Sequence, residues 1–217
     1  SQKYFTSHAK SDFVQKSLSL TKGDYDLKDK QNSQFEVRMK ESIGSNGWRQ
    51  HEAYHNFDLK FHPLDYLIGT LYLEASDRKK FDSTLESHEV FFHYEEDGIL
   101  YYFHRLTTKK ILMMKGKELV FATAVKKMPD GSYIEVNRSY SEVLRAPCET
   151  WERMELFCST TVFTGIEEVE GAWKCQHYQL IDPRTTVSLK VLKFFMGSYY
   201  KKYYKGIFKM LEEIREK

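Results

Sequence analysis

The segment His51-Glu52-Ala53-Tyr54-His55 carries the H-E-x-x-H spacing of a zinc hydrolase. On a helix, histidines four residues apart share one face, so both can hold one Zn²⁺ while the Glu activates water. The flanking residues predict a different geometry. Gly44-Ser45-Asn46-Gly47 is a turn cluster and Pro63 can open a helix, which leaves residues 48–59 at strand length. On a strand the two imidazoles share a face but stand about 13 Å apart, too far for one metal ion. The longer zinc motif also fails: Asp58 occupies the Gly position, Phe61 the third His position, and His62 comes one residue late. The expectation is a strand, with a zinc-dependent hydrolase as the alternative.

No G-x-S-x-G, G-x-x-x-x-G-K or C-x-x-C run is present. Cys158 and Cys175 read as small buried hydrophobes on neighbouring strands. His88, His93, His104 and His177 lack metal-ligand spacing. No catalytic residue, metal or cofactor is expected, and the chain is not read as an enzyme. Arg105 is the charged residue that stands out. Alternation from Ile99 to Leu106 puts Ile99, Tyr101, Phe103 and Arg105 on one face and Leu100, Tyr102, His104 and Leu106 on the other. Whichever row faces inward ends in a basic group among apolar ones. A buried cation without a partner is costly. A lipid phosphate would serve, because Arg can hold it bidentately. An internal carboxylate or exposure at the strand end would serve as well.

These residues need a scaffold. Two hundred and seventeen residues suffice for one sizeable core, and 41% hydrophobic with 15% aromatic content is too apolar for a disordered chain. The longest largely apolar run, Leu119–Val125 with Thr123 inside it, is far shorter than the roughly 20 residues that span a bilayer. Three cysteines predict a reducing compartment without a disulfide framework. Residues 1–34 read as a polar arm or short helix of the same domain. Phe35, Val37 and Met39 alternate with charged residues as a half-buried strand. A short helix follows from Pro63, with a second over Asp77–Phe81. Hairpins then join 88–95 to 99–106, 117–128 to 132–140, and 151–164 to 172–182; the first two turn through Asp97-Gly98 and Pro129-Asp130-Gly131. After Pro183, Leu192, Phe195, Met196, Tyr199, Tyr203, Ile207 and Met210 recur at three- and four-residue steps, which predicts one long amphipathic helix. An antiparallel sheet gripping one long helix is an α+β arrangement.

The net charge of +2 is unevenly spread. From Arg184 to Lys217 there are nine basic and three acidic residues, against 24 basic and 28 acidic in the rest. No nucleic-acid recognition signature accompanies that basic end, so no nucleic-acid partner is expected. A basic helix face does suit anionic headgroups.

Several segments resemble, in the same order, the StAR-related lipid-transfer (START) domains. The strand–turn–strand run from Lys117-Glu118-Leu119-Val120-Phe121 through Asp130-Gly131-Ser132-Tyr133 to Asn137-Arg138-Ser139 is the best match. Pro63–Leu71 is similar to the family's first short helix, Arg78-Lys79-Lys80-Phe81-Asp82 to its Arg-x-x-Trp-Asp motif, and Ile181-Asp182-Pro183 to the Val-Asp-Pro before its last helix. The likeness covers residues 35–217. It implies a helix-grip fold: a curved nine-stranded antiparallel sheet around a tunnel that holds one lipid, covered by the C-terminal helix and by the loop Thr107–Lys117. The acid–arginine pair of the family's sterol binders is not reproduced, since its acidic position aligns near His104-Arg105 and its arginine position at Thr123. The resemblance therefore implies a monomeric lipid carrier, phospholipid favoured over sterol, cytoplasmic and peripheral at membranes, with a lipid-sensing domain that binds without transfer as the alternative.

That fold would place Phe103, His104, Arg105 and Phe121 on tunnel-lining strands, with Met154 and Leu156 from the next hairpin. Met113 would come from the covering loop, and Leu192, Phe195, Met196 and Tyr199 from the helix. The loop itself carries Ile111-Leu112-Met113-Met114 between Lys109, Lys110, Lys115 and Lys117. An apolar tip ringed by lysines can enter an anionic bilayer surface.

Overall fold

The computed structural model describes residues 25–28, 35–71, 78–110, 114–140 and 149–216. Its strands are β1 (Tyr25–Lys28), β2 (Phe35–Ile43), β3 (Arg49–Leu59), β4 (Leu85–Glu96), β5 (Ile99–Thr108), β6 (Lys117–Lys127), β7 (Tyr133–Ser139), β8 (Glu152–Arg153), β9 (Glu155–Gly165) and β10 (Trp173–Asp182). Two helices are described, α1 (Pro63–Leu71) and α2 (Leu189–Arg215). One sheet joins the strands in the order β1-β2-β3-β10-β9-β7-β6-β5-β4, all antiparallel, while β8 adds a short parallel pair to β6. The α+β architecture expected from the periodicities is therefore present.

The arm expected over residues 1–34 differs in one respect: Tyr25–Lys28 pairs with Met39–Glu36 as the first edge strand. Four residues are too few for an alternation to register as a period. Residues 1–24 and 29–34 lie outside the described residues, as do Asp77 of the second short helix and Ile111, Leu112 and Met113.

The face of the sheet turned towards the helices holds the main core. Val37, Met39, Ala53, Phe57 and Leu59 from β2 and β3 pack with Tyr102, Val125, Tyr133, Phe163 and Cys175, and with Leu67 of α1 and Leu189, Tyr200 and Tyr204 of α2. The opposite face carries a smaller apolar cluster of Tyr54, Ile134, Val162 and Tyr178. Both faces are apolar, so alternation alone does not mark the inward one.

Contacts at both ends fix α2. At its start, Ser188 gives no side-chain cap; instead Leu189 N donates to Glu41 Oε2 at 2.6 Å, placing a carboxylate at the positive helix end. At the other end, a Cβ on Gly206 would lie 2.0 Å from Phe81 Cβ, and one on Gly69 of α1 would lie 3.0 Å from Leu211 of α2. Phe81 is thus the aromatic seat on which the helix rests.

Candidate functional site

Cross-strand pairing fixes which residues make up the face of the sheet turned towards α2. Tyr102 belongs to the helix-facing core and pairs with Thr123, while His104 pairs with Phe121. Thr123 then pairs with Asn137, Asn137 with Ser159, and Glu135 with Thr161. Across β10 and β3, Thr161 lies beside His177 and His177 beside His55. This inner wall is polar along much of its width. Thr123 Oγ1 donates to Asn137 Oδ1 at 2.5 Å, and Asn137 Nδ2 to Ser159 Oγ at 3.3 Å. Thr161 Oγ1 donates to Glu135 Oε2 at 2.7 Å and lies 2.9 Å from His177 Nδ1. His55 Nδ1 is 2.6 Å from the Tyr204 hydroxyl on α2.

Burial controls the charge of this wall. It pushes the Glu135 carboxyl above its ordinary 4.5, although Thr161, Asn137 and Arg78 pull the other way. Burial lowers His104 to about 3, helped by His88, and lowers His177 to about 4 against the hydrogen bond that its Nε2 donates to Gln179 Oε1. His55 also falls well below 6.5, through burial and then the neighbouring His177. All three histidines are therefore neutral near pH 7. In the unfolded chain they accept protons below their ordinary 6.5, whereas the folded chain refuses them until its lowered values are reached. Stability should be fully present above that pH and fall as pH drops, by about 1.4 kcal/mol per pH unit for each such histidine. Urea unfolding at a series of pH values checks this. An unfolding free energy flat between about pH 7 and pH 5 would contradict it.

One half-buried cation stands beside this wall without an ion pair among the described residues. Arg78 Nη1 donates to the Thr70 carbonyl at 2.8 Å and Nη2 reaches Tyr203 OH of α2 at 3.5 Å, but its Nε is sequestered with no partner. Its charge is felt by His104 on β5 and Glu135 on β7, which places it between helix and sheet. Neighbouring Asp82, 4% exposed, instead accepts from Thr84 Oγ1 at 2.7 Å and Tyr199 OH at 3.3 Å. The Nε2 atoms of His104 and His55 are likewise buried and unpartnered. A ligand with hydrogen-bonding oxygens could satisfy these groups.

The expected lining residues divide. His104 and Phe121 face inward, their rings stacked at 4.8 Å. Leu156 is buried and pairs with Ile181, which follows Gln179 on the same face of β10. Tyr199 reaches Asp82, and Leu192 is half-buried on α2. Met154 is half-buried in the break between β8 and β9, where its N–H donates to the Glu118 carbonyl at 2.7 Å. The side chains of Phe195 and Met196, and all of Met113, lie outside the described residues.

Phe103 and Arg105 require a correction, because they belong to the outer row. Phe103 stacks on Phe92 at 4.3 Å, and Phe92 is 46% exposed. Arg105 Nε donates to Glu118 Oε1 at 2.6 Å, its guanidinium lies 5.0 Å from the centre of the Trp151 ring, and Glu118 also binds Arg153 Nη2 at 2.8 Å. An internal carboxylate, not a phosphate, is therefore its partner. Burial alone would raise the Glu118 pKa, but bonds from Arg105 and Arg153 outweigh it and hold the carboxyl below its ordinary 4.5.

The H-E-x-x-H run lies on strand β3, so the helical geometry of the zinc reading is not formed. Among the described residues no three His, Cys, Asp or Glu side chains form a group able to hold a metal. In the covering loop, Lys109, Lys110 and Lys115 are exposed. Lys117 is committed inward, bonding Glu152 at 2.5 Å and the Arg184 carbonyl at 2.7 Å. Met114 accepts a contact from Thr185 Oγ1 at 3.4 Å, so this loop touches the segment leading into α2. Among the described residues no helix is long and apolar enough to cross a membrane.

No protein-family model matches this sequence, and no curated protein matches it. Solved structures do resemble its fold. Human StAR-related lipid transfer protein 5 aligns with a TM-score of 0.68 at 14% identity, covering 94% of this chain and 95% of that one. Human STARD10 aligns at 0.63 and 15% identity, covering 95% and 82%. The StAR-related lipid transfer protein from Xanthomonas axonopodis aligns at 0.61 and 13% identity, covering 87% and 98%. A curved antiparallel sheet closed by a C-terminal helix over nearly the whole chain, with these neighbours, is the helix-grip fold of the START domains.

Proposed function

We propose that this chain carries one membrane lipid, a phospholipid in preference to a sterol, between the inner wall of its sheet and α2. Two of the proteins that share its fold, human StAR-related lipid transfer protein 5 and its Xanthomonas axonopodis counterpart, are lipid-transfer proteins by name, which supports the general reading. The observation that carries the finer one is Arg78. A guanidinium whose Nε is sequestered without a hydrogen-bond partner, and which no described carboxylate binds directly, carries a desolvation cost. A lipid phosphate would supply the missing acceptor at Nε and add a direct charge-assisted bond to the longer-range field of Asp82. This role passes from Arg105, whose position is filled by Glu118, to Arg78. No bond is made or broken, and a monomer suffices.

Lipid exchange requires an opening. The loop over residues 109–116 touches the lead-in to α2 at Met114–Thr185, and Lys117 at the start of β6 holds the Arg184 carbonyl beside it, so parting loop and lead-in would uncover the interior. Exposed Lys109, Lys110 and Lys115 with the apolar Ile111-Leu112-Met113-Met114 run form the membrane-docking element, and basic α2 adds Lys202, Lys205 and Lys209. The protein then works in the cytoplasm, peripheral at membranes.

Native mass spectrometry of the purified protein should reveal a retained phospholipid. Transfer should be faster from phosphatidylserine-containing vesicles than from neutral ones and should slow with salt. Replacing Lys109, Lys110 and Lys115 by Gln should remove that difference. Equal rates from both vesicle types for both proteins would discard the docking element. Bound lipid without transfer would favour a lipid sensor.

A further inference from the structure

Strand β4 ends the sheet, and among the described residues it pairs only with β5. Between Lys80 and Arg105 the chain has six carboxylates, Asp82, Glu86, Glu89, Glu95, Glu96 and Asp97, and no Lys or Arg. Asp82 is buried; the other five lie exposed along β4 and its turn. In a chain of net charge +2 this is a concentrated acidic edge.

Beside it runs an aromatic ladder. On the outer face Phe92 stacks on Phe103 at 4.3 Å, Tyr94 on Tyr101 at 4.8 Å, and Tyr140 meets Phe103 edge-on at 6.0 Å. Phe92, Tyr94 and Tyr140 are 46%, 44% and 48% exposed. Lys126 and Arg138 lie further in, on β6 and β7. The ladder sits near the Asp97-Gly98 turn, at the opposite end of the hairpin from the loop over 109–116.

Proteins often protect an open edge with charges and bulges, and β4 has register shifts at Leu85/Ser87 and Val90/Phe92. From Phe92 to Glu96, however, the pairing with Phe103–Ile99 is regular, and there the aromatic rings are exposed. Repelling other strands would not require those rings. We propose that this edge receives an extended, Arg- or Lys-rich segment of a partner protein as an added strand. Its cationic groups would lie over the Tyr94 and Phe92 rings and against Glu96 on the same face, with Glu95 on the other face and Asp97 in the turn adding to the negative field, as Arg105 already lies over Trp151. A second copy in antiparallel pairing would set acid against acid. An anionic bilayer or a nucleic acid would meet the same repulsion.

The test uses the full chain and two short acetylated peptides, one alternating Arg and Val, the other alternating Glu and Val. The Arg peptide should bind, and should slow hydrogen exchange at β4 amides pointing away from β5, while the Glu peptide should not bind. Phe92→Ser with Tyr94→Ser, or Glu95→Lys with Glu96→Lys, should weaken binding at least about tenfold, with thermal unfolding confirming the exposed positions leave the fold intact. Unchanged affinity in both folded double variants, or protection away from β4, would overturn the proposal. So would weaker binding to phosphatidylserine vesicles in the Phe92→Ser/Tyr94→Ser variant, which would assign the ladder to a membrane. Lipid loading should stay unchanged in these variants, so the interior can be judged separately.

Discussion

Arg78→Met should bind phospholipid about 10- to 100-fold more weakly while remaining folded, because a charge-assisted hydrogen bond contributes about 1.5–3 kcal/mol. The guanidinium has two described partners, the Thr70 carbonyl and a distant Tyr203 hydroxyl, and no salt bridge among the described residues. Removing a cation whose Nε is buried and unpartnered costs the empty protein little, whereas it takes the counter-charge from a bound phosphate. Arg78→Lys should fall between, since ammonium keeps the charge without the planar fork. Diacylglycerol, which lacks the phosphate, should bind both variants as it binds the original protein. Arg105→Met, altered on the outer face, should leave phospholipid affinity unchanged. Titration with a fluorescent phospholipid, with thermal unfolding as the fold control, reads these outcomes. Equal affinity in folded Arg78→Met would place the phosphate elsewhere.

The contrast between the two arginines reflects what one dimension of sequence can carry. Alternation separated Tyr101, Phe103 and Arg105 from Tyr102 and His104 correctly. It could not orient the rows, because Phe92, Tyr94 and Tyr140 lie against the outer row while the core buries the inner one. The Arg105–Glu118 bond depends on hairpin register, with Thr107 opposite Glu118, and the intervening loop hid that register from spacing arguments. Arg78 opens the Arg78–Asp82 motif, but the burial of its Nε depends on α2, far away in sequence. The hairpins were legible from Asp97-Gly98 and Asp130-Gly131, where Asp97, Gly98 and Gly131 adopt positive φ. The long helix was legible from its apolar period. Strand β9, expected as one run from residue 151, is broken at Met154 because β8 turns aside to pair with β6.

Glu118→Leu should be the most destabilising single change on the outer face, about 3–5 kcal/mol, the cost of leaving a buried ion without its partner. Glu118 is fully buried and spends one oxygen on Arg105 and the other on Arg153. The pair ties β5 and β6 to β8, with Trp151 lying over Arg105 and donating from its indole N–H to Glu86. Leucine would leave both guanidinium groups facing an apolar side chain. Glu89, 3.9 Å from Arg105 and half exposed, is too far and too well solvated to replace it. The triple change Arg105→Met, Glu118→Leu and Arg153→Met should recover much of the loss, because it removes the charges together with their need for each other. The original protein should also reveal this carboxylate in acid. Its folded pKa lies below its ordinary 4.5, so its contribution is complete above that value and is lost as pH falls through the folded one. In Glu118→Leu that part of the acid dependence should vanish, while the decline due to the inner histidines, which starts nearer pH 6.5, should persist. Urea unfolding of the three proteins across this range separates the two effects. A loss below about 1 kcal/mol in the single variant would mean that solvent reaches and screens the arginines, and that Glu118 does not hold the hairpin to β8.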